Sequence, residues 1–392
     1  MTVELRPLGV NCNLACQYCY QNPQRDAGNL AGSYDLEAMK AAVRREGGPF
    51  ILFGGEPLLL PEEDLERLWA WGLEEFKQNS VQTNGVLINE NHLRLFRQYG
   101  VHVGISVDGP GELNDARWFG SLEKTREATA KTEAAIERLA REGTPPSLIV
   151  TLHRANASAE HLPRLHDWFR YLDQLGVTSA RLHMLEVDSP AVGRKYALSA
   201  KENVEALLGF ARLEPQLARL RFDVFADMEN LLLADDEQAT CVWMACDPYT
   251  TAAVHGVEGR GETSNCGRTN KEGIDFGKAE TPGYERYLAL YFTPQEHGGC
   301  QGCRFFLACK GQCPGTAIGG DWRNRTEHCE VWKEIFRHVE DRLLDRGLFP
   351  VSVQPNRTHL EQALLEAWAS GSNPRMRDVV RAMYAAEGVS LS

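Results

Sequence analysis

The sequence lacks both a long hydrophobic run and an excess of positive charge. None of its apolar segments approaches the roughly 20 residues that a helix needs to span a bilayer, so we expect no membrane-spanning segment. Its 42 lysines and arginines are outnumbered by 54 aspartates and glutamates, which gives a formal net charge of −12. Because contacts with phosphate groups require a basic surface, this balance argues against a nucleic-acid partner.

An export signal is also lacking, since the first residues resemble a β-strand rather than a basic and then apolar segment. We therefore expect a cytoplasmic protein, in a compartment that keeps thiols reduced. The 11 cysteines are then better explained as metal ligands than as disulfides. Their odd number also argues against complete pairing.

A third absence concerns the first three cysteines, which have no fourth cysteine near them. Cys12, Cys16 and Cys19 can bind three irons of a cubane [4Fe–4S] cluster, which leaves one iron without a protein ligand. Structural zinc sites and electron-transfer clusters normally take four protein ligands. No histidine or carboxylate lies close enough in the sequence to complete such a set, although a coincidental zinc or thiol cluster is the alternative.

The spacing Cys-x3-Cys-x2-Cys, with the aromatic Tyr18 before the last cysteine, resembles the signature of radical S-adenosylmethionine (SAM) enzymes. In that family the amino and carboxylate groups of SAM chelate the open iron. The resemblance therefore implies SAM and a [4Fe–4S] cluster as cofactors, and it places Tyr18 among the cofactor-binding residues.

Strand-like and helix-like segments alternate through the first half of the chain. Apolar and β-branched residues predict six strands, at residues 2–9, 50–53, 80–82, 101–107, 147–152 and 178–184. Helical periodicity predicts helices at residues 35–45, 62–76, 89–99, 122–141 and 159–175, and a further helical pattern from about 202 to 233. This order implies an α/β fold with parallel strands, in a doubly wound sheet or a barrel. Radical SAM enzymes use a partial (β/α)6 TIM-type barrel, so the resemblance favours the barrel, with the first cysteines at its C-terminal mouth.

Three short motifs follow the second, third and fourth predicted strands, and each alone is an ordinary turn. Paired glycines let a ligand approach the backbone, a carboxylate can balance an ammonium group, and hydroxyl and carboxylate groups suit a diol. Similar segments of radical SAM enzymes bind the methionyl amino group, other SAM atoms and the ribose hydroxyls. The resemblance implies the same role for Gly54, Gly55, Glu56 and Pro57, for Thr83 and Asn84, and for Ser106 and Asp108.

Two further residues are candidates for the same site. Arg117 lies where relatives have an Asp-x-x-Arg segment, with a spacing shorter by one residue, and its guanidinium suits the SAM carboxylate. A plain surface arginine is the alternative. Leu185, after the sixth strand, is expected to line the adenine pocket, and a simple core residue is the alternative there.

The other eight cysteines lie in the last two fifths of the chain. Their spacing, together with Gly261, resembles the seven-cysteine signature of the SPASM domain, with one extra cysteine upstream as in fully ligated members. The interleaved connectivity of that family implies two auxiliary [4Fe–4S] clusters, so that the chain would hold three clusters in all. The first set is Cys241, Cys246, Cys266 and Cys313, and the second is Cys300, Cys303, Cys309 and Cys329. Two zinc sites are the alternative.

These patterns divide the chain into three predicted domains. A radical SAM partial barrel covers residues 1–235, a small cysteine-rich SPASM domain with the auxiliary clusters covers 236–330, and a helical C-terminal extension covers 331–392. Within the extension, apolar residues at helical spacing predict helices at residues 332–346, 359–369 and 374–386.

The resemblance implies an oxidoreductase that cleaves SAM reductively to a 5′-deoxyadenosyl radical and abstracts hydrogen from its substrate. Auxiliary clusters with four thiolates have no free iron for substrate, so we expect them to accept the electron left on the product. Because SPASM enzymes commonly modify ribosomally made precursor peptides, we predict a peptide maturase that forms a crosslink or another oxidative modification. No catalytic residue is assigned, and Asp247, Tyr18 and Tyr20 are conceivable proton acceptors with packing roles as the alternative.

Two other functions compete with this prediction. Anaerobic sulfatase-maturing relatives carry an aspartate directly after the cysteine corresponding to Cys266, where this chain has Gly267, and we therefore disfavour that activity. A non-catalytic electron-transfer protein with three clusters would have no need of the motifs at residues 54–57 and 106–108.

The expected partners follow from the same resemblance. They are a precursor peptide, a reductant of the flavodoxin or ferredoxin type and, because only 11 residues precede Cys12, a separate protein that recognises the leader peptide. The C-terminal helices are an alternative docking place for the leader.

Overall fold

The computed structural model describes residues 3–26, 33–237, 239, 243, 246, 254–269 and 283–386. The chain divides into two compact units. The first comprises Met1–Asp223 and Val254–Phe276, and the second comprises Val224–Ala253 and Gly277–Ser392. The division into three domains ending at residues 235, 330 and 392 stays a prediction.

The first unit is built on one sheet of nine strands, whose order is β7-β6-β5-β4-β3-β2-β1-β8-β9. The strands are β1 (Val3–Arg6), β2 (Phe50–Leu52), β3 (Asn79–Thr83), β4 (Val101–Ser106), β5 (Ser147–Leu152), β6 (Ser179–Met184), β7 (Arg221–Phe222), β8 (His255–Glu258) and β9 (Thr263–Ser264). All neighbouring pairs from β7 to β8 are parallel, and β9 is antiparallel to β8. The predicted α/β fold with six parallel strands, β1 to β6, is confirmed. No pairing joins the edge strands β7 and β9 among the described residues, so hydrogen bonds do not close the sheet into a full barrel.

Helices follow the strands in the order that the sequence predicts. They are α1 (Asn22–Asp26), α2 (Leu36–Glu46), α3 (Glu62–Phe76), α4 (Glu90–Gln98), α5 (Leu122–Arg141), α6 (Arg154–Ala157), α7 (Leu162–Leu175), α8 (Pro190–Tyr196) and α9 (Ala200–Leu213). Local chemistry sets their ends: Asp35 accepts hydrogen bonds from the backbone of Glu37 and Ala38 at the start of α2, and Gly47 ends that helix with φ of +76°. Phe169, Phe210 and Phe222 pack edge to face, with ring centroids 5.1 to 5.4 Å apart, and join α7, α9 and β7.

The helical pattern predicted from 202 to 233 is wrong in its middle, where the chain forms the strand β7. The carboxylate of Asp173, in α7, accepts hydrogen bonds from the backbone N–H groups of Ala218, Arg219 and Leu220 at 2.9, 2.7 and 2.7 Å. These bonds fix a bend before β7, so a long-range contact overrides the local helical period.

The second unit is mainly helical. Its helices are α10 (Asp223–Leu232), which begins at the last residue of the first unit, α11 (Glu285–Phe292), α12 (Phe306–Cys309), α13 (Cys329–Asp345), α14 (Arg357–Ala369) and α15 (Met376–Ala386). The three helices predicted for the C-terminal region are confirmed as α13, α14 and α15. Their core is aromatic, since Trp368 packs on Tyr287 and Phe306 with centroid distances of 5.3 and 6.1 Å. None of the helices within the described ranges is both long and apolar enough to cross a membrane.

Candidate active site

The first three cysteines lie in the loop that follows β1. Main-chain hydrogen bonds fix this loop to the segment after β4, from Ala15 to Trp118 at 2.8 Å and from Gln17 to Ala116 at 2.9 Å. Burial raises the pKa of Cys16 to about 12, and the nearby thiols of Cys19 and Cys12 contribute to that rise. The three thiols therefore lie close enough together to influence one another's ionisation.

Donors to sulfur surround this loop. The N–H of Leu14 lies 3.4 Å from Cys12 Sγ, Asn84 Nδ2 lies 3.8 Å from the same sulfur, and Arg25 Nη2 lies 3.6 Å from Cys19 Sγ. Such donors favour thiolates and are typical of the surroundings of iron–sulfur clusters. The loop thus fits a cluster held by three thiolates, each bound to a different iron. Within the described ranges, no group of three or more His, Cys, Asp or Glu side chains is arranged around a point where one metal ion would sit.

The paired glycines after β2 lie against the start of the cysteine loop. The N–H of Gly55 donates to the carbonyl of Gly9 and that of Glu56 donates to the carbonyl of Asn11, each at 2.8 Å. A Cβ on Gly55 would overlap the Asn11 carbonyl, and Gly54 has φ of +121° with the Gly9 carbonyl against it. The close approach that needs glycine here is made by the chain itself, and the contact of residues 54–57 with SAM stays a prediction.

Glu56 connects the ends of β2 and β3. Its buried carboxylate accepts hydrogen bonds from Thr83 Oγ1 at 2.7 Å, from the N–H of Asn84 at 2.8 Å and from the N–H of Leu58 at 3.0 Å. Burial raises the pKa of Glu56 in spite of these donors. Asn84 in turn donates to Asn13 Oδ1 at 2.7 Å. Three residues predicted for the SAM site, Glu56, Thr83 and Asn84, are therefore joined to each other and to the cysteine loop.

Asp108 is completely buried and fully hydrogen bonded at the end of β4. Its carboxylate accepts from the hydroxyl of Tyr18 and from the N–H of Thr151 at 3.2 Å, and it lies 3.2 Å from His153 Nε2. Burial opposes its charge, yet His153, Arg117 and Tyr18 keep the pKa of Asp108 below its usual value. Ser106 Oγ accepts from Gln82 Nε2 at 2.9 Å. The structure thus brings Asp108 to Tyr18, and the contact of Ser106 and Asp108 with ribose stays a prediction.

Arg117 and Leu185 both approach Tyr18. Arg117 Nη1 lies 3.4 Å from the Tyr18 hydroxyl, and although burial opposes it, interactions with Cys16, Tyr18 and Asp108 raise the pKa of Arg117. The guanidinium is therefore not a plain surface group. Leu185 is buried in an apolar cluster with Tyr18, Ala116 and Tyr196. Their roles toward SAM stay predictions.

Several polar residues at this edge of the sheet carry no signal that sequence reasoning detects. His153 directly follows β5, and apart from this position nothing in the sequence distinguishes it as a site residue. Glu186, after β6, forms an ion pair with Arg268, whose Nη1 lies 3.4 Å from His183 Nδ1. Burial, together with the charges of Arg268 and Arg181, holds the pKa of His183 well below its usual value.

Gly267 lies against the ring of Tyr20. A Cβ at Gly267 would stand 3.1 Å from Tyr20 Cε2 and 3.7 Å from its hydroxyl oxygen. Burial raises the pKa of Tyr20 above its usual range, and Glu4 and the thiols of Cys266 and Cys19 add to the rise. The space next to Cys266 is therefore occupied by a neutral phenol.

The second set of four cysteines lies wholly within the second unit. Burial raises the pKa of Cys309 well above its usual value, and the thiols of Cys300, Cys303 and Cys329 contribute to the rise. Burial likewise raises the pKa of Cys300 to about 12. These four thiols are near neighbours, as a four-thiolate cluster requires.

The first auxiliary set is only partly described. Cys246 and Cys313 are buried in the second unit, and Cys266 belongs to the first unit. Cys241 and the candidate proton acceptor Asp247 lie outside the described residues. This ligand set stays a prediction.

Comparison with known families gives a match over residues 7–166 to the model of the radical SAM superfamily. Among curated proteins, the chain is 26% identical over 339 residues to a serine-type anaerobic sulfatase-maturating enzyme of Klebsiella aerogenes, covering 80% of this chain and 79% of that protein. It is 24% identical over 387 residues to a cysteine-type anaerobic sulfatase-maturating enzyme of Clostridium perfringens, covering 88% and 98%.

Solved structures show the same fold over most of the chain. The structure of native anSMEcpe with bound AdoMet and the Cp18Cys peptide has a TM-score of 0.67 at 19% identity, covering 88% of this chain and 98% of that one. The structure of Streptococcus suis SuiB bound to its precursor peptide SuiA has a TM-score of 0.55 at 16% identity, covering 84% and 75%. The predicted radical SAM fold is therefore confirmed over residues 7–166, and the likeness of fold covers most of the chain.

Proposed function

We propose that this chain, which carries a radical SAM domain, is an enzyme that oxidatively modifies a peptide. The observation that carries the proposal is the convergence, at one edge of the sheet, of the Cys12–Cys16–Cys19 loop with Glu56, Asp108 and Arg117. An electron carrier needs the thiols but not the buried carboxylates and guanidinium around them.

The cluster and SAM, when bound, would supply a 5′-deoxyadenosyl radical that removes a hydrogen atom from the substrate. In this proposal Arg117, which faces Cys16 and Tyr18, holds the SAM carboxylate. Leu185 and Tyr18 line the adenine side, and Ser106 with Asp108 contacts the ribose. Gly54, Gly55, Glu56 and Pro57 receive the methionyl amino group, and Thr83 and Asn84 contact other atoms of SAM.

A peptide substrate is supported by two structural neighbours. SuiB is seen with its precursor peptide SuiA, and anSMEcpe is seen with the Cp18Cys peptide. We propose that the two auxiliary sets hold [4Fe–4S] clusters, three in the whole chain, and that they accept the electron left on the product. A reductant of the flavodoxin or ferredoxin type, and a separate leader-binding protein, remain part of the proposal.

Anaerobic sulfatase maturation is the second candidate function, because the similarity to sulfatase-maturating enzymes extends along most of the chain. Gly267 argues against it. The position after Cys266 carries no carboxylate, and the Tyr20 ring lies 3.1 Å from where a Cβ would stand. We therefore place modification of a ribosomal precursor peptide ahead of sulfatase maturation.

The experiment is anaerobic incubation of the reconstituted protein with dithionite, SAM and one of two kinds of peptide. One kind is the product of a short reading frame next to the gene, and the other is a sulfatase peptide with serine or cysteine at the modified position. We expect 5′-deoxyadenosine in both incubations and a mass change only in the first peptide. Absence of 5′-deoxyadenosine from protein with all clusters loaded would contradict the enzyme proposal, and modification of the sulfatase peptide would favour the second candidate.

A further inference from the structure

Arg286, in α11, is a buried arginine whose guanidinium, among the described residues, binds five main-chain carbonyls. The residue is 1% exposed. Its Nε donates to the carbonyl of Trp322 at 2.7 Å. Nη1 approaches the carbonyls of Lys310 at 3.3 Å and Cys246 at 3.5 Å. Nη2 donates to the carbonyls of Gln312 at 3.2 Å and Asn324 at 3.1 Å.

The segments that Arg286 joins are those that carry the predicted cluster ligands. Cys246 belongs to the first auxiliary set, and its own carbonyl is one of the acceptors. Lys310 follows Cys309 of the second set, and Gln312 precedes Cys313 of the first. One planar group with five N–H donors thus fixes the chain next to ligands of both sets, a geometry that the three donors of a lysine cannot reproduce.

The positive charge of this guanidinium lies in the protein interior. No carboxylate pairs with Arg286 among the residues that the structure describes, so its positive charge is balanced only by carbonyl dipoles. Its N–H groups donate to the carbonyls of Lys310 and Gln312, which adjoin Cys309 and Cys313 in the chain, so the charge lies beside ligand segments of both sets.

A [4Fe–4S] cluster with four thiolates is an anion that gains one further negative charge on reduction. A buried positive charge stabilises the reduced state more than the oxidised state, because charges interact more strongly inside a protein than in water. We propose that Arg286 is a positioning residue that fixes the ligand segments of both auxiliary clusters and raises their reduction potential. This inference rests on the auxiliary clusters of the proposed function, for which a higher potential favours acceptance of an electron from the product.

The test uses the full chain with Cys12, Cys16 and Cys19 replaced by alanine, so that only the auxiliary sets remain. Because this host does not cleave SAM, the measurement is independent of the reaction and of the substrate. After anaerobic reconstitution we expect about eight irons per chain. Redox titration followed by electron paramagnetic resonance then gives the midpoint potentials. The variants are Arg286→Gln, Arg286→Lys and, as the matched control, Arg323→Gln, which removes an exposed arginine between two of the carbonyl-bearing residues.

We expect Arg286→Gln to bind less iron than the host and its remaining clusters to be reduced at more negative potentials. Arg286→Lys, which keeps the charge, should lose less iron and keep potentials close to those of the host, and Arg323→Gln should match the host in both. Unchanged iron and unchanged potentials in Arg286→Gln would overturn the proposal. If Arg286→Gln retains no cluster, the Arg286→Lys variant provides the test. Lysine keeps the positive charge, so midpoint potentials of Arg286→Lys well below those of the host would refute the role of the charge. A host that binds no iron would also overturn it, since the ligand sets themselves would then be wrong.

Discussion

The groups around Asp108 favour the ionised form of its carboxylate. A buried carboxylate with no partner would be protonated, but Tyr18, Thr151 and His153 surround this one with donors. The same contacts hold Tyr18, and with it the cysteine loop, next to Arg117. The carboxylate therefore contributes both to the stability of the fold and to the shape of the site.

The first prediction concerns the pH dependence of that contribution. Because the pKa of Asp108 is lower in the folded chain than in the unfolded chain, its stabilisation is present above the unfolded pKa and is lost as the pH falls through the folded pKa. We expect Asp108→Asn to lower the unfolding free energy by about 1–3 kcal/mol at pH 7. This difference from the wild type should shrink below about pH 4.

Urea denaturation of the iron-free chain over a pH series measures this difference. The control is Asp167→Asn, at a carboxylate in α7 whose side chain is 76% exposed, and we expect it to leave the stability within about 0.5 kcal/mol of the wild type. A difference between Asp108→Asn and the wild type that stays constant with pH would show that the charge of Asp108 is unimportant.

A second prediction separates the roles of two cysteines. Cys16 belongs to the loop with an open iron, whereas Cys303 belongs to the set in the second unit. We expect Cys16→Ala to abolish formation of 5′-deoxyadenosine, because two thiolates do not hold the cluster that binds SAM. Cys303→Ala should retain cleavage and lose the modified peptide. Chromatography of the nucleoside and mass spectrometry of the peptide measure the two outcomes, and equal loss of cleavage in both variants would contradict the division of roles.

The loop after β1 and the loop after β2 are joined directly by hydrogen bonds. These are main-chain hydrogen bonds, from Gly55 and Glu56 on one side to Gly9 and Asn11 on the other. A side chain at position 55 has no room to fit while the Asn11 carbonyl stays in place. The position of the cysteine loop thus depends on a glycine that follows another strand.

The third prediction tests that dependence. We expect Gly55→Ala to displace the cysteine loop, so that iron bound by the reconstituted protein falls from about twelve to about eight per chain while the fold persists. Gly193→Ala is the control, because the new Cβ in α8 would meet only the Val187 side chain at 3.0 Å. Iron analysis and circular dichroism measure the two properties. Full iron content in Gly55→Ala would mean that the two loops adjust independently.

Sequence patterns predicted the elements well where local signals decide them. The strand β5 and the helices α3 and α5 have the predicted bounds, because hydrophobic period and terminal residues agree there. The strand β7 escaped prediction because Asp173, about 45 residues earlier in the sequence, supplies its preceding hydrogen bonds. The strand β8 escaped because it joins the sheet beside β1 from a distant part of the chain.

The candidate site shows the same contrast between local sequence signals and long-range contacts. Cysteine spacing predicts the ligand sets, which stay a prediction, and the thiols of Cys12, Cys16 and Cys19 lie near one another because one loop carries them. The partners of Asp108 and the Glu186–Arg268 pair meet only when distant strand ends come together. Their types and positions carry no periodic signal, so only the folded chain reveals them.

For the whole molecule, the proposed arrangement requires that three metal sites load separately. The Cys12–Cys16–Cys19 loop belongs to the first unit, and the set Cys300, Cys303, Cys309 and Cys329 belongs to the second. Neither set depends on a thiol of the other. Loss of one site should therefore leave the iron of the other sites in place.

The last prediction counts iron and zinc in three proteins. We expect about twelve irons in the wild type and about eight in each of two variants, one with Cys12, Cys16 and Cys19 replaced by alanine and one with Cys300, Cys303 and Cys329 replaced by alanine. Zinc should be absent from all three, because thiolates that share a cubane each bind a different iron rather than one tetrahedral ion. Mass spectrometry of the metals checks both numbers. About four irons together with two zincs in the wild type would establish zinc sites in the second half of the chain and would remove the electron acceptors from the proposed reaction.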